Sequence, residues 1–289
     1  MELKVLEWNL NLRSDGENII PDFVGAAIKE QDADIVILTE FVFCENANNF
    51  LNKTFPDNDY DYYPKESMYD KNTQVNEDEK EPRVNEILIA WKKSSLNLWE
   101  NEKKEIYTQD CSKSEDVPNL LIIPLRKGRL KLWVAGVRIT MTSQNKVLEG
   151  KTNLTEFYIQ QAELRYNEMK MVYYHLDKKA GDKARVLIAG DFNNYRRGTP
   201  RKEWNFNRIT CNRGDYTPYT PNGDSWDGDK KFIPAPEDHF ITKNCFMENC
   251  KYERDFTKST KEIYKNGDRL LGIQPPNPDH AMLIGTLKF

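Results

Sequence analysis

Five short segments of this 289-residue chain concentrate side chains that can do chemistry: Glu7-Trp8-Asn9-Leu10-Asn11, Leu38-Thr39-Glu40, Gly190-Asp191-Phe192-Asn193, Glu237-Asp238-His239 and Pro278-Asp279-His280. If they converge, they bring together amides, carboxylates and two of the three histidines. Carboxylate oxygens are hard donors of the kind that Mg²⁺ or Mn²⁺ takes alongside retained water. An Asn amide does not titrate near neutrality, but it orients a phosphate oxygen or a water. A histidine held by a carboxylate keeps one tautomer and can stay protonated, which suits it to stabilise charge developing at phosphorus. Together these groups describe metal-assisted attack of water on a phosphate ester.

Each segment alone also has a bland reading. Asp-His pairs are common in surface turns, Gly190-Asp191-Phe192-Asn193 suits an Asx-turn, and Glu40 suits a solvated strand terminus. It is the combination, in this order and at strand ends, that carries the argument, because α/β proteins gather ligands where their strands finish.

The elements that must position these groups are legible from apolar spacing. Leu3, Val5, Leu6 and Trp8 begin a strand; Pro21 to Ile28 has helical spacing with Pro in the first turn; Asp34 to Thr39 is a short apolar run of the doubly buried kind. Residues 57–81, polar and acidic with several tyrosines, suggest a surface excursion. Strands are expected at Val84 to Trp91, Leu120 to Leu125 and Leu130 to Ile139, with Arg126-Lys127-Gly128-Arg129 as a hairpin turn. Leu154 to Leu176 carries an amphipathic pattern that Gly181 can stop. Arg185 to Ala189 is a further buried strand, 195–235 lacks periodicity and suggests a long loop region carrying short elements, and Phe240-Ile241, Cys245 to Tyr252 and Ala281 to Leu287 complete the strands.

Composition narrows the class. Hydrophobic residues are 38% and charged residues 30%, so the chain is neither collagenous nor dominated by disorder. Lys and Arg total 42 against 46 Asp and Glu, a net charge of −4, so no global basic field marks a nucleic-acid binder and any such role rests on local patches. The first ten residues lack the charge and apolar pattern of a secretory signal, and no apolar run approaches the roughly 20 residues of a membrane span. Five cysteines without a CxxC pair indicate reduced thiols and a cytoplasmic protein rather than a disulfide scaffold or a zinc site, Cys245 and Cys250 included. His175 falls on the long helix and is expected at the surface or a core edge, without a catalytic role.

In order, WNLN (8–11), ILTEF (37–41), VLIAGDFNN (186–194), EDHFI (237–241) and PDHAML (278–283) resemble the endonuclease/exonuclease/phosphatase superfamily, from the first strand to the last. The resemblance implies a single domain over 1–289 and a four-layer α/β sandwich, two packed mixed β-sheets flanked by helices. It implies that Asn9 orients the catalytic Asp and water, that Glu40 is the principal ligand of Mg²⁺ or Mn²⁺, and that Asp279 and Asn11 lie on the metal side. By the same resemblance Asp191 positions or deprotonates the attacking water, Asn193 binds the scissile phosphate, and Asp238 orients His280 against it. His239 matches a variable position, so a strand residue without a catalytic role is expected there. One departure concerns Arg138, which stands where many members carry a histidine. Arg is no general acid, but it can clamp a phosphate oxygen.

The substrate is expected from the loops. Arg196, Arg197, Arg201, Lys202, Arg208 and Arg213 follow the GDFN segment, with Tyr195, Trp204 and Phe206 among them, a composition suited to phosphate contacts and base stacking. A solvated charged loop has the same composition. The expectation is a Mg²⁺- or Mn²⁺-dependent nuclease acting on DNA or RNA, with Arg138, Arg196 and Arg197 on phosphates. The rivals are a phosphatase or small-molecule phosphodiesterase on the same fold, and a non-catalytic nucleic-acid-binding or interaction protein that keeps it.

Overall fold

Apolar side chains along the strands alternate between different cores, and this alternation builds the molecule. In a computed structural model, residues 1–12, 19–66, 86–99, 102, 104–107, 118–139, 154–193, 213–223, 225, 236–254, 278 and 280–289 are described. In chain order the elements are β1 (Glu2–Asn9), α1 (Asp22–Gln31), β2 (Ile35–Thr39), α2 (Ala47–Thr54), β3 (Tyr60–Tyr63), β4 (Leu88–Lys92), β5 (Asn97–Leu98), β6 (Glu105–Tyr107), β7 (Asn119–Lys127) and β8 (Leu130–Arg138). There follow α3 (Leu154–Ala180), β9 (Arg185–Asp191), β10 (Thr217–Tyr219), β11 (Asp238–Lys243), β12 (Phe246–Glu253) and β13 (Met282–Lys288).

A six-stranded sheet has the order β12-β13-β1-β2-β4-β3, and a seven-stranded sheet runs β10-β11-β9-β8-β7-β5 with β6 also on β7. Both are mixed: β1 and β2 are parallel, as are β8 and β9, and the other pairs are antiparallel. Leu3 and Val5 of β1, Ile35 and Ile37 of β2, Leu132 and Val134 of β8, and Leu187 and Ala189 of β9 share the core between the sheets. The alternate residues face outward. Leu6, Trp8, Val36 and Leu38 pack under α1 and α2, while Ala135, Val137, Val186 and Ile188 pack under α3. Burying one such side chain is worth roughly 1.5–3 kcal/mol. These layers form the expected α/β sandwich of two packed mixed sheets flanked by helices.

Local signals explain the ends of the helices. Pro21 precedes α1 with a preset φ of −60°, and Gly181, at φ 71°, stops α3. The β7–β8 hairpin is tighter than expected: Lys127 pairs with Leu130, so the turn is Gly128-Arg129, with Gly128 at φ 60°. Three further differences from the sequence reading have physical reasons. The tyrosine-rich start of the 57–81 excursion is the edge strand β3, because Tyr60 buries its ring in the outer core and donates its hydroxyl to the Ala33 carbonyl at 2.8 Å; residues 67–81 lie outside the described ones. The helix α2 has no strong sequence signature but buries Phe50 and Leu51 against that core. The short strands β5 and β6 pair along β7, too brief to leave a pattern in the sequence. Within 195–235, where short elements are expected, β10 is one such element, held by pairing with β11. Among the described residues, no helix is long and apolar enough to cross a membrane.

Candidate active site

The period of two along a strand decides which polar residues enter the space between the sheets. Glu7 and Asn9 follow the parity of Leu3 and Val5; Thr39 that of Ile35 and Ile37; Arg138 that of Leu132 and Val134; Asp191 that of Leu187 and Ala189; Asp238 that of Phe240. All therefore reach the same mouth. His239 has the opposite parity, which turns its ring edge-on to Phe192 and lets Thr220 Oγ1 lie 2.8 Å from its Nδ1. Burial holds its pKa down at about 3, so it is a neutral strand residue, as expected.

One sequence expectation needs correction. Asp238 and His280 lie at strand starts, not strand finishes: Asp238 is the first residue of β11 and His280 precedes β13. Both strands are antiparallel to neighbours that end at the mouth, β9 and β1, so their N-terminal ends arrive where those neighbours' C-terminal ends do.

Asp191 is the hub. Its Oδ1 accepts the Asn193 backbone N–H at 2.7 Å, and its Oδ2 accepts Nδ2 of Asn9 at 3.0 Å and Nδ2 of Asn193 at 3.1 Å. The Asn9 amide is fixed from its other side, because its Oδ1 accepts the Asn11 N–H at 2.8 Å. Asn193 Nδ2 also donates to the Ile139 carbonyl at 2.7 Å. Burial pushes the Asp191 pKa up to about 7; Asp238 and Glu40 add to the rise, while His280 and Arg138 oppose it. Gly190 makes this exit possible. Its φ is 153°, and a Cβ there would lie 1.8 Å from the Val137 carbonyl oxygen.

Asp238 and His280 form the second unit, with Asp238 Oδ2 2.7 Å from His280 Nδ1. Nδ1 is thus engaged, and chemistry at the imidazole falls to Nε2. The pair is anchored from several sides: Trp8 Nε1 donates to the His280 carbonyl at 2.9 Å, the Asp238 N–H donates to Ser225 Oγ at 3.0 Å, and the Tyr252 hydroxyl donates to the Asp238 carbonyl at 2.7 Å.

Behind these groups lie acids that sequence reasoning gave no role. Glu7 is fully buried; Thr39 donates to its Oε1 at 3.0 Å, and its Oε2 has no hydrogen-bond partner among the described residues. Burial, with Asp238 and Asp191 nearby, lifts its pKa well above the usual carboxylate range. Glu237 is raised likewise, by burial first and then by Asp191. Glu86 was missed altogether. It precedes β4 with no signature in sequence, yet its carbonyl accepts the Phe41 N–H at 2.9 Å and its carboxylate lies 3.5 Å from Arg138 Nη1. Glu40 leaves β2 with φ 48°, a left-handed conformation unusual for Glu, and Asn11 and Asn193 leave their strands at φ 53° and 46°.

Arg138 is placed differently from the expected phosphate clamp. Its Nε donates to Glu40 Oε1 at 2.8 Å and its Nη2 lies 2.7 Å from the same oxygen. Burial alone would depress the guanidinium, but Glu40, Glu86 and Asp191 more than offset that and raise its pKa. Arg213 also departs from the expected phosphate-binding run: it sits 2.8 Å from Asp177 and 3.1 Å from Asp215, beside Lys243 at the far end of β11 from Asp238. Asp279, Arg196 and Arg197 lie outside the described residues, as do Arg201, Lys202 and Arg208 with their aromatic neighbours.

Hard oxygen donors crowd this mouth: Glu40, Glu86, Asp191, Glu237, Asp238 and Glu7 against Arg138 and His280. Asp191 is raised first by its burial and then by Asp238 and Glu40, and a divalent cation beside such carboxylates would offset their charge. The donor chemistry thus fits Mg²⁺ or Mn²⁺ at Glu40, although Arg138 already holds Glu40 and no group of three or more His, Cys, Asp or Glu side chains is poised for a metal among the described residues. His175, on α3, lies half-buried beside the Tyr174 ring, away from this chemistry. Cys245 and Cys250 are free thiols, each pushed up to about 11 by burial.

No family model matches the sequence, and no curated protein matches it either. Solved structures do. TDP2 of D. rerio, complexed with single strand DNA product, is similar at a TM-score of 0.61 and 14% identity, covering 100% of this chain and 99% of that one. An endonuclease/exonuclease/phosphatase family protein from Bacteroides thetaiotaomicron has a TM-score of 0.60 at 12% identity, covering 100% and 98%. The human Nocturnin catalytic domain with bound sulfate anion has 0.58 at 14%, covering 100% and 94%. Two mixed sheets packed face to face, helices on both outer faces and polar strand ends gathered at one mouth are the fold of the endonuclease/exonuclease/phosphatase superfamily, and this chain adopts it.

Proposed function

We propose that this chain is a Mg²⁺- or Mn²⁺-dependent phosphodiesterase that hydrolyses nucleic acid. One arrangement carries the reading: Asp191, held by two Asn amides and pushed up to about 7 by burial, shares the mouth with a histidine that a buried carboxylate orients. Asp191 has the pKa of a general base for water, and Asn9 and Asn193 keep its oxygens in place. His280, braced by Asp238, offers Nε2 to a phosphate oxygen as charge builds there. Asn193 would reach the same phosphate only by releasing one of its two Nδ2 hydrogen bonds, to the Ile139 carbonyl or to Asp191. Glu40, with Asn11 and Asp279, would hold the cation, whose charge neutralises phosphate oxygens and acidifies bound water. Arg196 and Arg197, directly after the GDFN segment, are assigned to flanking phosphates. A similar structure bound to single strand DNA product and another holding a sulfate anion support a polyanionic substrate.

The test is to incubate purified protein with plasmid DNA, single-stranded RNA and a panel of phosphorylated small molecules, with Mg²⁺, Mn²⁺ or chelator, beside Asp191→Ala. Cleavage of nucleic acid that needs the cation and Asp191 is expected. Turnover of the small molecules alone would replace this reading by a phosphatase or small-molecule phosphodiesterase. Binding of nucleic acid without hydrolysis would make the chain a non-catalytic binder.

A further inference from the structure

Arg138 sits on the carboxylate assigned to the metal. Its Nε donates to Glu40 Oε1 at 2.8 Å and its Nη2 lies 2.7 Å from the same oxygen. The guanidinium therefore covers that oxygen, and a cation can reach it only if the guanidinium moves. A cation that took the other oxygen instead would stand beside a fixed positive charge in a site where all three side chains are nearly dry: Arg138 is 12% exposed, Glu40 6% and Glu86 4%. Glu86 provides the way out. Its Oε2 already lies 3.5 Å from Nη1, on the other side of the same guanidinium, so Arg138 can turn from one carboxylate to the other without being left unpaired in a buried site.

We infer that Arg138 and the divalent cation exchange on Glu40, with Glu86 as the positioning residue that holds the displaced guanidinium. This rests on the proposed role of Glu40 as the metal-side carboxylate. Arg138 acts as the resident counter-cation of the ion-free protein and weakens metal binding by competition. Glu86 lowers the cost of displacement and so strengthens it. Removing one or the other therefore moves metal affinity in opposite directions, which loss of structure would not do.

The experiment is titration of the full chain with MnCl₂ by calorimetry, with circular dichroism to confirm folding. Arg138→Met should bind Mn²⁺ about tenfold more tightly than wild type, within the usual range of coupling between two ligands. Glu86→Gln should bind it severalfold more weakly, and the Arg138→Met/Glu86→Gln double variant should match Arg138→Met. Arg138→Lys, which keeps the charge but not the fork, should fall between wild type and Arg138→Met. If Arg138→Met does not fold without metal, the Lys variant carries the test alone. Unchanged or weaker Mn²⁺ binding by the Arg138 variants overturns the exchange. So does an equal loss from Glu86→Gln in both backgrounds, which would make Glu86 a ligand. If wild type cleaves nucleic acid only with Mn²⁺ while the Arg138 variants bind no tighter, the exchange fails and the hydrolase reading stands; if none of the folded proteins binds Mn²⁺, both fail.

Discussion

Asn9 ends a strand of one sheet and Asp191 ends a strand of the other, and Nδ2 of the first donates to Oδ2 of the second at 3.0 Å across a sequence separation of 182. This bond ties the two sheets at their shared mouth and aims a carboxylate whose pKa burial has raised to about 7. Structure and chemistry depend on the same contact.

Asp191→Asn should lower kcat by about 10²–10⁴-fold, the usual contribution of a positioned general base, and should cost some thermal stability, because both Asp191 oxygens accept N–H donors and the amide nitrogen of Asn cannot accept one. In wild type, kcat/KM should rise with pH through the range in which Asp191 loses its proton, about 7 without the ion and lower with it bound, since added positive charge favours the carboxylate. A pH profile on a defined oligonucleotide measures this. A flat profile, or a variant reduced only a fewfold, would remove Asp191 from the role of base.

His280→Ala should cost about 10²–10³-fold in kcat, the scale of losing one charge-stabilising donor. Asp238→Asn should cost less, because the ring stays while its preferred tautomer weakens. The order of the two effects is the checkable point: single-turnover rates that place Asp238→Asn below His280→Ala contradict the division of labour between them.

Glu7→Gln should stabilise the ion-free protein as pH rises. The folded-state pKa of Glu7 lies above its unfolded value, so its contribution to stability is fully present below the unfolded pKa of roughly 4 and is lost as pH rises towards the folded one. Glutamine does not titrate and escapes that loss. Urea unfolding with chelator present should show little difference near pH 4 and a clear gain for the variant by pH 8. The same stability at both pH values would mean that Glu7 titrates normally.

Gly190→Ala should fail to fold or lose about 3 kcal/mol or more, since its Cβ would press against the Val137 backbone at 1.8 Å, and backbone cannot swing aside as a side chain can. Thermal melting or soluble yield reports it. Gly128→Ala, in an open turn with nothing within 4 Å of its added Cβ, is the control, expected to pay only the smaller strain of φ 60°.

The strand ends were readable because doubly buried strands are continuous apolar runs that stop abruptly at polar residues, as in Val186-Leu187-Ile188-Ala189-Gly190-Asp191. The same continuity conceals which face each terminal residue takes. With apolar neighbours on both sides there is no polar alternation to set parity, and so Glu7, flanked by Leu6 and Trp8, gave no hint that it shares the inner face with Asn9. Direction was hidden as well. The EDH and PDH segments read as strand ends without showing that they are N-terminal ones, because antiparallel pairing is a relation between strands and not a property of either.

The amino-acid order by itself determined the inventory at this site: the amides of Asn9, Asn11 and Asn193, Glu40, Asp191, the Asp-His segments and the apolar runs that carry them, since residue type and short-range period are local quantities. Tertiary structure alone decided what those residues became. Glu40 and Arg138 lie 98 positions apart and meet because β2 and β8 pack face to face. Asp191 titrates near neutrality and His239 stays neutral because burial removes water from each, and Arg213 is spent on Asp177 and Asp215 at the other end of β11. Charge interaction and desolvation depend on separation and burial in space, and neither exists until the sheets have closed on one another.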